Sequence, residues 1–187
     1  MTRSLEQILL YHCAPALAGI KPSCLVSLSR ARHSDIERRI QALDAVLSTR
    51  GIRLTTICCC ARYCMVFAYR ESCLSGHLQR PEISGYLHTL GYPANMGAQQ
   101  ALEHFEKRLT QQAGFPHELG VLLGYPLEDV RGFIEHKGKN CKLNGYWKVY
   151  ANEAQTAALF KKYTRCREIL CRHASTGLSI AALFRAA

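Results

Sequence analysis

A histidine and a cysteine stand side by side near the start of the sequence, and a lysine follows in the same segment, His12–Pro22. A thiol becomes a nucleophile when a neighbouring base or cation lowers its pKa, and His12 and Lys21 are residues of these two kinds. The prolines and the glycine of the segment predict an irregular backbone, whose N–H groups could face an anion. Cys13 is therefore a candidate nucleophile. The alternative is a buried structural thiol, because unpaired cysteine is among the most buried residue types.

A second group of side chains that could act as acids or bases lies much later in the chain. His117 is a further candidate base beside His12, and Glu118 or Asp129 could orient a histidine through a hydrogen bond. In an enzyme, Cys13 would react, a histidine would move the proton, and nearby lysines would hold an anionic substrate.

The segment His136–Tyr150 contains four lysines, two glycines and three aromatic residues. Lysines neutralise phosphates or carboxylates, Trp147 or a tyrosine can stack on a planar ligand, and glycines allow close approach of the backbone. The alternative is a solvated basic loop followed by a strand that buries Trp147. No phosphate-loop or dinucleotide-binding motif is present, so no particular cofactor is indicated. The candidate ligand-binding residues are Lys21, Tyr125, Lys142, Tyr146, Trp147 and Lys148.

A run of three cysteines, Cys58 to Cys60, is followed closely by Cys64. A soft-metal site needs several thiolates that converge on one ion at about 2.3 Å. Strand alternation would place Cys58 and Cys60 on one face, where Cys64 could join them across a hairpin. No CxxC pair with zinc-type spacing occurs, and cysteine in a strand commonly packs as a small apolar residue. Packing is the favoured interpretation, and the metal-binding alternative stays open.

The glycines and apolar residues of Pro116–Ile134 also fit a helix-turn-helix template. With a net charge of +10, a basic DNA-binding regulator is therefore an alternative function. However, the first turn of the would-be recognition helix carries Glu128 and Asp129, where donors to phosphates are expected. We do not expect specific binding of nucleic acid.

Length and composition restrict the class of protein. A chain of 187 residues, 48% of them hydrophobic, can bury a sizeable core and is typical in length of one domain over residues 1–187. The excess of 24 Lys and Arg over 14 Asp and Glu favours anionic partners. Met1–Ile20 does not resemble a signal peptide, and no apolar run is long enough to span a bilayer. We expect a cytoplasmic protein without membrane contact, whose ten cysteines stay reduced.

The elements that must position these segments follow from hydrophobic periodicity and turn residues. The predicted strands are Cys24–Ser29, Ile52–Cys60 and Cys64–Tyr69. Capping-box patterns start helices at Ser4 and Ser34, and helical spacing dominates from Pro81 onward, with Asn152 as the cap of the last long helix. The prediction is an α+β fold, with a small antiparallel or mixed sheet of about three strands packed by helices and a mostly helical C-terminal half.

Two of these segments carry a resemblance to a known protein family. The stretches HCAPALAGIKP (residues 12–22) and FPHELGVLLGYPLEDVRGFI (115–134), the second continued by GYWKVY (145–150), resemble the signatures of a bacterial domain-of-unknown-function family common in anaerobes. The resemblance spans nearly the whole chain. It implies a family and a fold but no activity, and it directs attention to Cys13 more than to the cysteine run.

The predicted function is the binding or conversion of a small anionic molecule at a site built from His12–Pro22 and His117–Tyr150. Both segments are polar and rich in glycine and proline, as segments that form binding sites commonly are, and we expect them to line one cleft. The alternatives are a helix-turn-helix DNA-binding regulator and a thiol-rich metal or redox accessory protein.

We predict that any DNA binding by this chain is weak and independent of base sequence. Glu128 and Asp129 oppose the attraction to the phosphate backbone, so only the net charge of +10 favours DNA. A competition assay at about 150 mM salt should show no preferred duplex. Nanomolar retention of one sequence over random duplex, lost in Arg131→Ala, would contradict this prediction.

Overall fold

The sheet has three antiparallel strands in the order β1-β3-β2, with β3 in the centre. The strands are β1 (Ser23–Ser29), β2 (Ile52–Cys59) and β3 (Tyr63–Arg70). The computed structural model describes residues 4–32, 35–111 and 114–184, apart from the side chains of Cys58 and Cys59. Val26 and Leu28 of β1 are buried on one face, as the two-residue period of a strand requires.

Helices surround the sheet and dominate the second half of the chain. The described helices are α1 (Leu5–Leu17), α2 (Ile36–Ser48), α3 (Glu71–Leu78), α4 (Pro81–Thr89), α5 (Ala98–Gln111), α6 (Leu119–Leu122), α7 (Leu127–Glu135), α8 (Glu153–Ser175) and α9 (Ile180–Leu183). A separate antiparallel pair is formed by β4 (Leu143–Asn144) and β5 (Lys148–Val149). The predicted α+β class, three-stranded sheet and helical C-terminal half are confirmed.

Helices pack on both faces of the three-stranded sheet, so two apolar cores form. On one face, Val26 and Val66 are buried in a cluster with residues of α1, α2 and α9. On the other face, Phe67 and Tyr69 are buried with residues of α3 to α7. Because Val66 and Phe67 are neighbours in a strand, their side chains point to opposite faces, and β3 contributes to both cores.

A smaller third cluster joins α8 to the β4–β5 pair. Its buried residues are Trp147, Val149 and Tyr163. The turn between β4 and β5 contains Gly145, and a Cβ at this position would collide with the ring of Phe160 in α8. A glycine is therefore required for the hairpin to lie against α8, and this contact fixes the position of Trp147.

The segment His12–Pro22 is more regular than predicted. Helix α1 continues through Pro15, and Gly19 then takes the positive φ of +77° that ends the helix. The N–H groups of Ile20 and Lys21 both donate to the carbonyl of Pro15, at 2.9 and 3.1 Å. The expectation that N–H groups here face an anion is wrong for these two, because the turn after the helix uses them.

Two of the three predicted helix caps fall within the described residues. Ser4 accepts a hydrogen bond from the N–H of Gln7 at 3.2 Å, so the capping box of α1 is confirmed. Asn152 precedes α8 in the left-handed conformation, with φ 42°, and its side chain makes no capping bond, so that predicted cap is wrong. Ser34 lies outside the described residues.

The turn between α6 and α7 is fixed to the beginning of β1. Gly124 has a φ of +74°, and a Cβ at this position would lie 2.5 Å from two ring carbons of Pro22. Next to it, the hydroxyl of Ser23 donates to the carbonyl of Leu122 at 2.7 Å, and both groups are buried. The two segments with family resemblance therefore contact each other.

Gly124→Ala is expected to lower the free energy of unfolding by about 3 kcal/mol, because overpacking against Pro22 adds to the strain of a positive φ. Gly51→Ala is the matched control. Gly51 also has a positive φ, of +67°, but no heavy atom lies within 4 Å of its Cβ position. It should lose only about 1–2 kcal/mol. Urea unfolding measures both variants, and equal losses would contradict the proposed packing.

Candidate functional site

Asp129 holds the centre of the second segment together. Its carboxylate, in the first turn of α7, is buried and accepts three hydrogen bonds. The donors are the indole N–H of Trp147 at 2.7 Å and the backbone N–H groups of Tyr150 and Ala151 at 2.7 and 3.0 Å. These bonds fix α7 to β5 and set the plane of the indole. Asp129 therefore orients Trp147, whereas the sequence suggested that it would orient a histidine.

Aromatic rings extend from Trp147 in two directions. Tyr125 stacks on it with ring centroids 4.7 Å apart, and Phe160 meets it edge-on at 4.6 Å. Tyr146 packs against Phe160 and Tyr163 at 5.4 and 5.3 Å. Burial raises the pKa of Tyr125 to about 12, so its phenol stays neutral, and its hydroxyl donates to the carbonyl of Tyr146 at 3.4 Å. The rings form a rigid wall.

A cavity of about 370 Å³ opens beside this wall. Its volume lies within the range of about 300–1,000 Å³ that is usual for small-molecule sites. Two phenylalanines with exposed side chains line it, Phe115 at 53% and Phe133 at 38% exposure. Such exposed aromatic rings beside a cavity are typical of a binding surface.

Two side chains that line the cavity can carry a positive charge, His117 and Lys148. The Lys148 ammonium donates to the carbonyl of Gly138 at 2.5 Å, which holds it in place. His117 is exposed, and its ring lies 5.6 Å from that of Phe133. Asp129 also lines the cavity, but the three N–H donors on its oxygens offset its charge there.

Lys21 is a buried cation, which is unusual for lysine. Its ammonium donates to the carbonyl of Ser23 at 2.8 Å, lies 3.7 Å from the sulfur of Cys24, and sits 5.2 Å from the ring centroid of Tyr125. Burial lowers the pKa of Lys21, and the neighbouring thiols oppose that shift. Lys21 is thus partnered inside the protein by the Ser23 carbonyl, the Cys24 thiol and the Tyr125 ring.

The thiol of Cys24 was not predicted as a site residue. The Cys13 thiol donates a hydrogen bond to the Cys24 sulfur, and this bond lowers the pKa of Cys24 to about 6 against the opposing effect of burial, with help from Lys21. The same hydrogen bond, followed by burial, raises the pKa of Cys13. The Lys21 ammonium, 3.7 Å from the Cys24 sulfur, favours the thiolate at Cys24 over one at Cys13. The signal in the sequence was the lysine three residues before Cys24.

The two predicted segments contact each other but do not share the cavity. Lys21 lies against Tyr125, and Tyr125 stacks on Trp147, so a line of contacts joins the thiols to the cavity wall. Among the described residues, however, none from His12–Pro22 lines the cavity. This cavity is therefore lined by the second segment alone, and Lys21 of the first segment lies behind it against Tyr125.

Other predicted site residues lie apart from one another. His12 is exposed on α1 whereas Cys13 is fully buried, because neighbouring helix residues point about 100° apart. Glu118 is buried, and its carboxylate forms an ion pair with Arg108 of α5. Its partner is therefore this arginine, whereas the sequence suggested His117. Lys142 is exposed in the basic loop.

The cysteine run has no metal-binding geometry in the part of the chain that is described. A register shift in β2 between Thr56 and Cys58 interrupts the alternation on which the predicted face depended. Cys60 is exposed at the turn whereas Cys64 is buried, and the side chain of Cys58 lies outside the description. No group of three or more His, Cys, Asp or Glu residues among the described positions could hold a metal ion.

One known protein family matches nearly the whole chain. The sequence profile of the family described as "Protein of unknown function (DUF3793)" matches residues 9–184. The chain belongs to the DUF3793 family. This confirms the predicted resemblance to a domain-of-unknown-function family, and the matched range contains both signature segments. No curated protein and no solved structure matches this DUF3793 chain. Within the described residues, no helix is both long and apolar enough to cross a bilayer.

We predict that one thiolate of this protein is protonated as the pH falls through about 6, far below the ordinary thiol value of 9.0. Thiolate absorbance in the ultraviolet, followed from alkaline to acidic pH, measures this. Subtracting the absorbance curve of Cys24→Ser from that of the wild-type protein isolates the protonation of Cys24. Cys73→Ser, which removes a half-buried thiol, should retain it. A difference curve centred near 9 would contradict the assignment.

Proposed function

We propose that this protein binds a small planar anion in the cavity beside Trp147. The observation that carries the proposal is a cavity of about 370 Å³ whose lining combines the aromatic rings of Tyr125, Tyr146 and Trp147 with the hydrogen-bonded ammonium group of Lys148. The stacked rings of Tyr125 and Trp147 offer a flat apolar surface, and Lys148 offers a positive charge beside it. A ligand with one flat face and one acidic group satisfies both.

The charge around the cavity favours an anion. An ammonium has three N–H donors, so the bond from Lys148 to the carbonyl of Gly138 does not exhaust its capacity. His117 can add a further donor. Lys137, Lys139 and Lys142 are exposed on the loop that precedes β4, and they strengthen the positive potential in which an anion approaches.

Binding is supported better than covalent catalysis at this cavity. Cys13 is fully buried and does not contribute to the lining, so a reaction in the cavity would have to use His117 as its base. The helix-turn-helix alternative has less support. Asp129, which would have to approach DNA from the first turn of α7, is instead buried against Trp147, and α6 has only four residues.

Fluorescence of Trp147 provides a direct test, because it is the only tryptophan in the sequence. The probe is anilinonaphthalene sulfonate, an anion with a planar naphthalene ring system that accepts energy from excited tryptophan. We expect saturable energy transfer from Trp147 to the bound probe. The neutral counterpart without the sulfonate, phenylnaphthylamine, should bind about tenfold more weakly, as expected for the loss of one charge-assisted hydrogen bond of roughly 1.5 kcal/mol.

Two lysine variants decide whether the signal comes from the cavity. Lys148→Gln should remove the preference for the anionic probe while leaving the neutral probe unaffected. Lys161→Gln is the matched control, because Lys161 is exposed on α8 and does not line the cavity. Equal binding of both probes by the wild-type protein, or equal effects of the two variants, would overturn the proposal.

A further inference from the structure

Behind the cavity wall, two thiols and an ammonium form a buried cluster that the proposed function does not use. Cys13 belongs to α1 and Cys24 to β1, both are buried in the same apolar core, and each thiol shifts the pKa of the other. Lys21 lies 3.7 Å from the Cys24 sulfur and is held in place by the carbonyl of Ser23. A nucleophilic thiolate needs a nearby cation and a proton donor, and Cys24 has both.

The burial of the cluster restricts what can reach it. Cys13 is 0% exposed, Lys21 5% and Cys24 6%. A bulky disulfide or an alkylating substrate would need the protein to open further than a small uncharged oxidant would. A hydroperoxide has this size and charge, and its reaction with a thiolate is the first step of cysteine oxidation.

We propose that Cys24 and Cys13 form a two-cysteine redox site that reduces a small hydroperoxide, with Cys24 as the peroxide-reacting thiol and Cys13 as the resolving thiol. The inference is independent of ligand binding in the cavity.

The chemistry balances with the groups present and one peroxide. The Cys24 thiolate attacks one peroxide oxygen, the O–O bond breaks, and the electron pair leaves with the other oxygen, which takes a proton from the Lys21 ammonium to give water or an alcohol. Cys24 is then a sulfenic acid, oxidised by two electrons. The Cys13 thiol passes its proton through Lys21 to the hydroxyl of the sulfenic acid, which leaves as water as the S–S bond forms. An external thiol reductant returns the pair to the starting state.

The site should be distinguished from thiols that react only because they are exposed. Cys60 is the strongest competitor, since it is exposed and backbone hydrogen bonds, first from Arg62, lower its pKa. Cys166 is an alternative resolving thiol. Its thiol donates to the carbonyl of Ala14 at 3.6 Å, next to Cys13 in the chain.

The experiment treats fully reduced full-length protein with hydrogen peroxide in small molar excess, blocks the remaining thiols and maps the peptides without reduction. We expect a Cys13–Cys24 disulfide to form before other thiols are modified. In Cys13→Ser, Cys24 should stop at a sulfenic acid, which dimedone traps when the protein is unfolded in its presence. In Cys24→Ser, Cys13 should not react. Cys73→Ser is the matched control and should behave as wild type.

Lys21→Met tests the role of the cation. It should slow the peroxide reaction of Cys24 roughly fivefold near neutral pH. Loss of the cation raises the pKa of Cys24, so the fraction of thiolate falls, and this outweighs the higher nucleophilicity of each remaining thiolate. Thermal unfolding of each variant checks its folding, and the wild-type peptide map keeps the proposal testable if a variant does not fold.

Three results would overturn the proposal. The first is oxidation confined to Cys60 and other exposed thiols while Cys24 stays reduced. The second is a Cys24–Cys166 disulfide in place of Cys13–Cys24. The third is formation of the same disulfide by oxidised glutathione as fast as by hydrogen peroxide, which would show that access does not select a small oxidant.

Discussion

The three hydrogen bonds on the Asp129 carboxylate are the constraint on which the second half of the structure depends. A buried carboxylate costs several kcal/mol unless its oxygens are satisfied. Here the bonds come from one indole and two backbone N–H groups, all from the strand pair and the residues after it. The same bonds that satisfy the charge therefore set the distance between α7 and β5 and the tilt of Trp147. Tyr125 and Phe160 then pack against a ring that is already fixed, and the cavity takes its shape from them.

Lys21 connects that region with the thiols of the first segment. Its ammonium group lies 5.2 Å from the centroid of the Tyr125 ring and 3.7 Å from the sulfur of Cys24. At such short distances inside a protein, a change of one unit charge alters the local electrostatic energy by more than it would in water. Oxidation of Cys24 would remove the thiolate and leave Lys21 with only neutral partners. Such a change would occur around an ammonium that lies 5.2 Å from the Tyr125 ring, which stacks against Trp147.

The fold was more predictable from the sequence than the site was. Runs of β-branched and aromatic residues fix the strands within one or two residues, and Pro81 begins α4 as its locked φ favours. The site was harder to predict, because it depends on the direction in which individual polar side chains point. Glu128 and Asp129 are neighbours of the same charge type, yet one is exposed and the other buried, because a helix turns by about 100° per residue. Cys24 fits a strand pattern as a small apolar residue, so only its spacing from Lys21 distinguished it.

The packing of α8 along α1 has a consequence for biosynthesis. Helix α1 is made first, and its buried side chains, which include Leu5, Leu9 and Leu17, stay partly uncovered until α8 has left the ribosome. The backbone N–H of Ile180 also donates to the carboxylate of Glu6 at the same end of the molecule. Contacts between segments so distant in sequence form late and slow the search for the native state. Between the synthesis of α1 and that of α8, the nascent chain therefore exposes apolar side chains of α1, which favours aggregation unless they are shielded.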